Sequence, residues 1–341
     1  MKRVGVEITE LNYSKNKCIK LLNDIRLITK KNDIEYILFS CLDDSYLKNN
    51  IDELYRIDLP KVLICFDNLS VPFRHKKTCN LYDLVWLTSH ETNYLFKRWG
   101  ANTLFQPYAS NPYFFKPTSN IDNLNVCFIG SIYGFRLTAL NKLHESNIPL
   151  DIYSTKIVHS NPISNAKKNL YKSINDAVQL SKFPIGRKLL FGALYKSFKR
   201  NEYSKIENKK NYKNVNFDQI PYIYNSSGLC LNITELWNTY LLKIPLHKLH
   251  LRTFEIPSSG GIEFVSINNE LCNYYENQKE IIMYEDMNDA CELAKYFLDP
   301  KRHSTRLKLK EKARSKTISE HTWLCRFNKI LSSLGKKNIR A

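Results

Sequence analysis

Arg252 and Glu255 stand three positions apart in the stretch LRTFEIPSSGG, residues 251–261, in a chain that has only ten glycines and places two of them side by side here. On a helix, residues three apart share a face. A guanidinium and a carboxylate projected together can grip a phosphate and both hydroxyls of a ribose; they can also be a plain surface ion pair worth a few tenths of a kcal/mol. Pro257 and the glycine pair read as a helix end and a tight turn into a buried strand. Gly130 and Ser131 follow the apolar run NVCFI, and Arg136 opens the helical pattern RLTALNKLHES. Glycine allows close backbone approach, and helix N-terminal amides with an arginine fork suit a pyrophosphate; a simple strand, turn and helix with a solvent arginine would look the same. Asn232 and Thr234 end the run GLCLNIT, where an amide and a hydroxyl suit a sugar or a phosphate, and an asparagine also suits a turn. Nearer the N-terminus, Asp67 follows VLICF, His90 sits in TSHET, and Glu7 ends the first apolar run. Each could take a proton as a general base, and each could equally cap or turn the chain.

These residues need elements to hold them. Apolar runs of strand length, each followed by a polar or helical stretch, recur along the whole chain, which is the pattern of a wound α/β protein with parallel sheets. At 341 residues the chain is too long for one ordinary core and suits two domains of roughly 150 residues each. RVGVEIT (3–9), IEYILFS (34–40), KVLICF (61–66), DLVWLTS (83–89) and TLFQPYA (103–109) predict the strands of a first lobe over 1–115, with a helix in ETNYLFKRWGA. A linker is predicted over 116–124, in a stretch of prolines, serines and asparagines. The second lobe, 125–320, restarts with NVCFIGS (125–131), LDIYS (150–154), NVNFD (214–218), GLCLNIT (228–234), GIEFVS (261–266) and IIMYED (281–286). Residues 155–213 are too long for a normal crossover and read as a basic, partly helical insertion. MNDACELAKYFLDP and HTWLCRFNKILSSLG have helical spacing, and the second lies in a C-terminal helix and basic tail over 321–341. In such a lobe, ligands bind outside the carboxyl ends of the strands, where most of these polar candidates fall.

The formal net charge of +18 favours an anionic partner: nucleic acid, anionic lipid or a phosphate-bearing substrate. It is densest over 195–213. Within FPIGRKLLFGALYKSFKR, leucines and phenylalanines are mixed with lysines and arginines, and on a helical wheel the two sets overlap; the segment could lie on an anionic membrane surface over 182–213 or dock on its own lobe. Nine cysteines are scattered singly, with no C-x-x-C pair, and read as reduced core thiols. No apolar run is long enough to span a bilayer and the N-terminus does not read as a signal peptide, so a cytoplasmic location is expected. No helix-turn-helix, zinc-ligand spacing or RNA-recognition sequence is visible, and no G-x-G-x-x-G follows a strand, which argues against a nucleic-acid module and a nicotinamide enzyme.

From about residue 61 to residue 330 the chain resembles the CgeB-like (spore-maturation-protein-like) glycosyltransferases. The blocks YDLVWLTS with WGA and QPYASNPYFFKP, NVCFIGSIYGFR, NSSGLCLNI, LRTFEIPSSGG, KEIIMYEDMNDACELAKYFL and EHTWLCRF occur in order. The resemblance implies an α/β fold of GT-B type, two Rossmann-like wound lobes facing a central cleft, with a C-terminal helical segment. It also implies transfer of a sugar from a nucleotide-sugar donor, which is a substrate, with no cofactor and no metal site. Gly130, Ser131 and Arg136 match the donor-phosphate segment. Arg252, Thr253, Phe254 and Glu255 match the signature helix, whose carboxylate holds the nucleotide ribose in related enzymes; Asn232 is grouped with them as donor-binding. Related retaining enzymes often carry a glutamate eight positions before Glu255, where this chain has His247. His321 and Thr322 resemble the start of the terminal helix, expected to cap, pack or close the domains rather than do chemistry. Asp67 and His90 are the acceptor-side candidates for the base of an inverting reaction. The leading expectation is a glycosyltransferase acting on a surface polysaccharide or lipid-linked glycan, O-antigen or capsule type, peripheral at the inner membrane face. Transfer to DNA or a modified base, or a non-catalytic basic nucleic-acid-binding protein, are the alternatives the charge alone leaves open.

Overall fold

The computed structural model describes residues 7, 9–11, 18–31, 34–40, 43–44, 51–132, 134–154, 166–198 and 212–339. Most of the predicted first strand (3–9) and much of the basic run 195–213 lie outside the described residues. The chain divides into two compact units, one of Met1–Pro107, Gln179–Gly186 and Leu324–Ala341, the other of Tyr108–Val178 and Arg187–Trp323. Among the described residues no helix is long and apolar enough to cross a membrane.

The first unit holds a parallel sheet of β1 (Ile37–Ser40), β2 (Lys61–Cys65), β3 (Leu84–Leu87) and β4 (Thr103–Phe105), paired in that order. Every residue of β2 and β3 is buried, as expected for strands covered on both faces. Leu63, Cys65, Val85, Leu87 and Phe96 fill the core. The helix Asn93–Arg98 joins β3 to β4 where ETNYLFKRWGA predicts one. The C-terminal helix Trp323–Ser333 belongs here from Leu324 onward. The buried Arg326 donates through Nε to the Pro107 carbonyl at 3.0 Å, and Phe327 meets Trp86 edge-on at 6.2 Å.

The second unit holds six parallel strands: β5 (Asn123–Ile129), β6 (Leu150–Tyr153), β7 (Tyr212–Lys213), β8 (Ser227–Asn232), β9 (Glu263–Ser266) and β10 (Ile282–Tyr284). Their spatial order is β10-β9-β8-β5-β6-β7. The chain winds outward from β5 through β6 to β7, returns to the other side of β5 as β8, and winds outward again. The winding therefore reverses between β5 and β8, the place where a doubly wound sheet opens a ligand crevice. Val126, Phe128, Leu229, Leu231, Phe264 and Ile282 lie in one continuous core.

Three sequence expectations change. NVNFD (214–218) is not a strand: Asn216 and Gln219 form a reciprocal capping box that starts the short helical turn Phe217–Gln219, and pairing with β6 uses Tyr212 and Lys213 instead. Residues 116–124 are no loose linker. Asn225 Oδ1 accepts from the amides of Thr118 and Ser119 at 3.0 and 2.8 Å, and Asp122 takes charged hydrogen bonds from Arg306, His303 and Lys310. Burial works against the Asp122 carboxylate, but the hydrogen bonds from Arg306 and His303 outweigh it and hold its pKa below the usual range. The helix His303–Glu320, which carries those cations, has no counterpart among the expected elements: its buried side includes Arg306 and Lys310 beside Leu309 and Ala313, so the apolar period is broken. The division of the chain at Pro107 accordingly precedes the predicted lobe boundary at 115.

Candidate functional site

At the carboxyl ends of β5 and β8 the second unit brings together Gly130, Arg136 and Arg252. After β5, Gly130 donates its amide to the Tyr153 carbonyl at 2.9 Å and turns the chain with φ +154°. A methyl group built on Gly130 would lie 2.5 Å from Nη2 of Arg252, so the bare glycine backbone is what lets the guanidinium come this close. Arg136, in the first turn of the helix Phe135–Glu145, is buried and donates through Nη1 to the Ser131 carbonyl at 2.9 Å.

Arg252 is the first residue of the helix Arg252–Ser258 and Glu255 the fourth. Both side chains are half-buried and, among the described residues, neither enters a hydrogen bond or an ion pair. The expected alternative, a closed i, i+3 ion pair, is not formed. Burial pushes the Glu255 carboxyl up to about 7, opposed by the nearby Arg252 charge. Pro257 does not end this helix, as the sequence suggested; it lies inside it, and Gly260 ends it. Gly260, at φ +76°, donates to the Pro257 carbonyl and Gly261 to that of Ile256, a Schellman closure that needs a left-handed residue. Phe254 anchors the helix from below and packs on the ring of His321 at 5.0 Å, so His321 has a packing role.

Asn232 and Thr253, expected to touch a ligand, carry no exposed surface. Asn232 Nδ2 donates to Thr253 Oγ1 at 3.1 Å and to Glu263 Oε1 at 2.6 Å, tying β8, β9 and the Arg252 helix together. Their polar groups turn inward because the fully buried Glu263 needs partners. Burial raises the Glu263 pKa to about 7 even with these bonds. Thr234 Oγ1 pairs with Nδ1 of His247 at 2.9 Å, and burial pushes that imidazole down to about 4.

The first unit shows a smaller polar arrangement. Asp67 and His90 are exposed at the carboxyl ends of the neighbouring strands β2 and β3. Between them Asn68 is fully buried: its Nδ2 donates to the Ser89 carbonyl and Thr92 Oγ1 at 2.8 and 2.7 Å, and its Oδ1 accepts from the Thr88 amide at 3.1 Å. The His90 ring meets Phe105 edge-on at 5.3 Å. Glu7 is exposed and lies outside any strand.

Comparison with solved structures gives the architecture. HepE of Anabaena, solved with UDP-glucose, superposes with a TM-score of 0.57 at 11% identity, over 93% of this chain and 81% of its own. Sucrose-phosphate synthase from Thermosynechococcus elongatus gives 0.55 at 12% identity, over 97% and 82%. A glycosyltransferase from Rickettsia africae gives 0.54 at 9% identity, over 96% and 83%. The fold is GT-B. Residues 173–332 of this GT-B chain match the family model described as glycosyl transferase-like, a range that takes in β8, the Arg252 helix, β9 and β10. No curated protein matches by sequence.

Three residues at the switch point of the GT-B sheet escaped the sequence reading. Lys248 is buried, and His250, with its imidazole pushed down to about 3 by burial, feels the charges of Arg252, Lys248 and Arg136. Glu235 is held beside β8 by a bridge to His247 and keeps a buried Oε2 without a hydrogen-bond partner among the described residues. Its pKa is raised by burial. The acid directly after Thr234 and the K-L-H-L-R spacing were the available signals.

Proposed function

We propose that this chain is a glycosyltransferase that takes its donor, a nucleotide sugar, at the carboxyl ends of β5 and β8. The observation that carries the reading is the Arg252 and Glu255 pair: an arginine and a carboxyl on one helix with no hydrogen-bond or ion-pair partner among the described residues, the arginine lying on Gly130 at the switch point of a GT-B sheet. The match of residues 173–332 to the glycosyl transferase-like model and the UDP-glucose complex of HepE support it.

In this reading the ionised Glu255 accepts the ribose hydroxyls, while Arg252 and Arg136 face the diphosphate, supported by Lys248 and the Gly130-Ser131 backbone. As the bond between the anomeric carbon and the diphosphate oxygen breaks, negative charge grows on the leaving group, and fixed cations in a partly dry site stabilise it most. Asn232 and Thr253 position the helix through Glu263. In an inverting reaction the acceptor hydroxyl bonds to the anomeric carbon and gives its proton to a general base, for which Asp67 and then His90 of the first unit are the candidates. The acceptor is a growing surface polysaccharide or lipid-linked glycan, of O-antigen or capsule type, met at the inner face of the membrane by a cytoplasmic protein. The match to the glycosyl transferase-like model favours sugar transfer to a glycan over a nucleic-acid substrate.

Calorimetry with UDP, GDP, CDP and dTDP tests the donor site. One of them should bind, and Arg252→Ala should weaken it about tenfold to a hundredfold, the range of a lost charged hydrogen bond. Binding of none, or equal binding by the variant, would rule the reading out.

A further inference from the structure

The helix Pro184–Phe198 has two apolar faces. One points inward: Leu189 is buried, and a methyl group on Gly192 would meet the carbonyl oxygen of Asn238 at 2.9 Å, so the helix is seated closely on that side. The other points to water. Phe191, Leu194 and Phe198 follow one another at steps of three and four residues and leave 62%, 56% and 86% of their surface exposed. At about 100° per residue this stripe lies roughly opposite Leu189 and Gly192. A helix needs only one buried apolar stripe to dock on its own domain. The second stripe is surplus to the fold, and contiguous exposed apolar side chains of this size mark a surface that meets something else.

Charge identifies the occupant. Arg187, four positions before Phe191, continues the line of the stripe toward the helix N-terminus, and Lys188, three positions before it, lies at the edge of the stripe; both are exposed. No acidic residue occurs between Asp176 and Glu202. The partner must therefore accept phenylalanine and leucine in an apolar layer while presenting anions beside it. Anionic phospholipid does both, because acyl chains take the apolar stripe as headgroup phosphates meet Arg187 and Lys188. A second copy of the chain fits worse: it would bring Arg187 and Lys188 against their own kind with no carboxylate on the helix to offset them.

We propose that the Phe191, Leu194 and Phe198 face of this helix, with Arg187 and Lys188 at its N-terminal end, docks the protein on an anionic membrane surface. The helix lies in the interface with its apolar side chains at the headgroup boundary; it does not cross. The purpose of docking rests on the lipid-linked acceptor proposed above, whereas docking itself needs no sugar and is measured without one.

The test is flotation of the full-length protein with two vesicle preparations, phosphatidylcholine alone and phosphatidylcholine mixed with phosphatidylglycerol. The wild type should float with the anionic vesicles only, and less as salt rises. The triple variant Phe191→Ser, Leu194→Ser, Phe198→Ser should lose at least about tenfold in partitioning, and so should Arg187→Glu with Lys188→Glu. Both variants should keep the wild-type circular dichroism spectrum and nucleoside diphosphate affinity, which separates this surface from the donor site. Failure of the wild type to float, or flotation unchanged in the triple variant, overturns the proposal. So does a wild-type dimer in light scattering that the triple variant dissolves, which would assign the stripe to a second copy. If docking holds while no nucleotide binds, the donor reading falls and the membrane surface stands.

Discussion

The guanidinium of Arg252 lies against the bare backbone of Gly130, where an added methyl group would sit 2.5 Å from Nη2. Two segments far apart in sequence thus share one contact, and the arginine is the flexible partner. Gly130→Ala should therefore displace Arg252, and at φ +154° it also strains the backbone, so some loss of stability should accompany the loss of affinity. We expect cooperative unfolding as in the wild type, with nucleoside diphosphate affinity lowered about tenfold. In the background of Arg252→Ala the same substitution should cost little affinity. A calorimetric double-mutant cycle checks the coupling.

Donor binding should depend on pH through Glu255. Burial raises its pKa from 4.5 to about 7, so in the free protein the acid is largely neutral below that point and ionised above it. The carboxylate accepts two hydroxyl hydrogen bonds better than the neutral acid does. Affinity for the nucleotide should therefore rise between about pH 6 and about pH 8. Glu255→Gln should flatten that rise and bind about tenfold more weakly at the upper end. Titration calorimetry across this range, corrected for phosphate ionisation, makes the comparison.

Glu263 should make the fold less stable as pH rises from the acid range toward neutrality. Its folded pKa is raised from 4.5 to about 7, so the native state holds a proton that the unfolded chain has released. Its stabilising contribution is full below about pH 4.5 and is lost as pH rises through about 7. The slope over that window is on the order of 1 kcal/mol per pH unit. Glu263→Gln keeps an acceptor for Asn232 Nδ2 and removes the titration, so the difference between variant and wild type in urea unfolding should shift in the variant's favour across the same window.

Asp67 separates chemistry from binding. Asp67→Asn should lower the rate of sugar transfer by about a hundredfold or more while leaving nucleoside diphosphate affinity unchanged. A His90→Gln variant should have a smaller effect on rate. Steady-state transfer assays beside calorimetry decide it; full activity in Asp67→Asn would move the base elsewhere.

Much of this was legible in the primary structure because wound parallel sheets write themselves as short apolar runs. The runs containing β2, β3, β5, β8 and β9 stood out, and so did the polar residues at their carboxyl ends. The run at 214–218 misled because Val215 and Phe217 alternate like a strand, while the Asn216 and Gln219 caps that turn it into a helical start are a reciprocal contact that periodicity does not weigh. The helix His303–Glu320 was missed for a related reason. Its buried Arg306 and Lys310 look like solvent residues until Asp122, almost two hundred positions earlier, is brought beside them.

The same division holds at the site. By itself the sequence determined that an arginine and a carboxylate share one helix face and that glycines surround them, because those are consequences of spacing and residue type. Whether the pair closes on itself, which neighbours join it and which polar residues face away depended on chain segments meeting. Tertiary structure alone set Arg252 on Gly130, drew Lys248, His250 and Glu235 to the switch point, and turned Asn232 and Thr253 inward toward Glu263. The physical reason is burial: a polar group taken out of water must find a partner wherever the fold provides one, and one sequence read along its length does not say where that is.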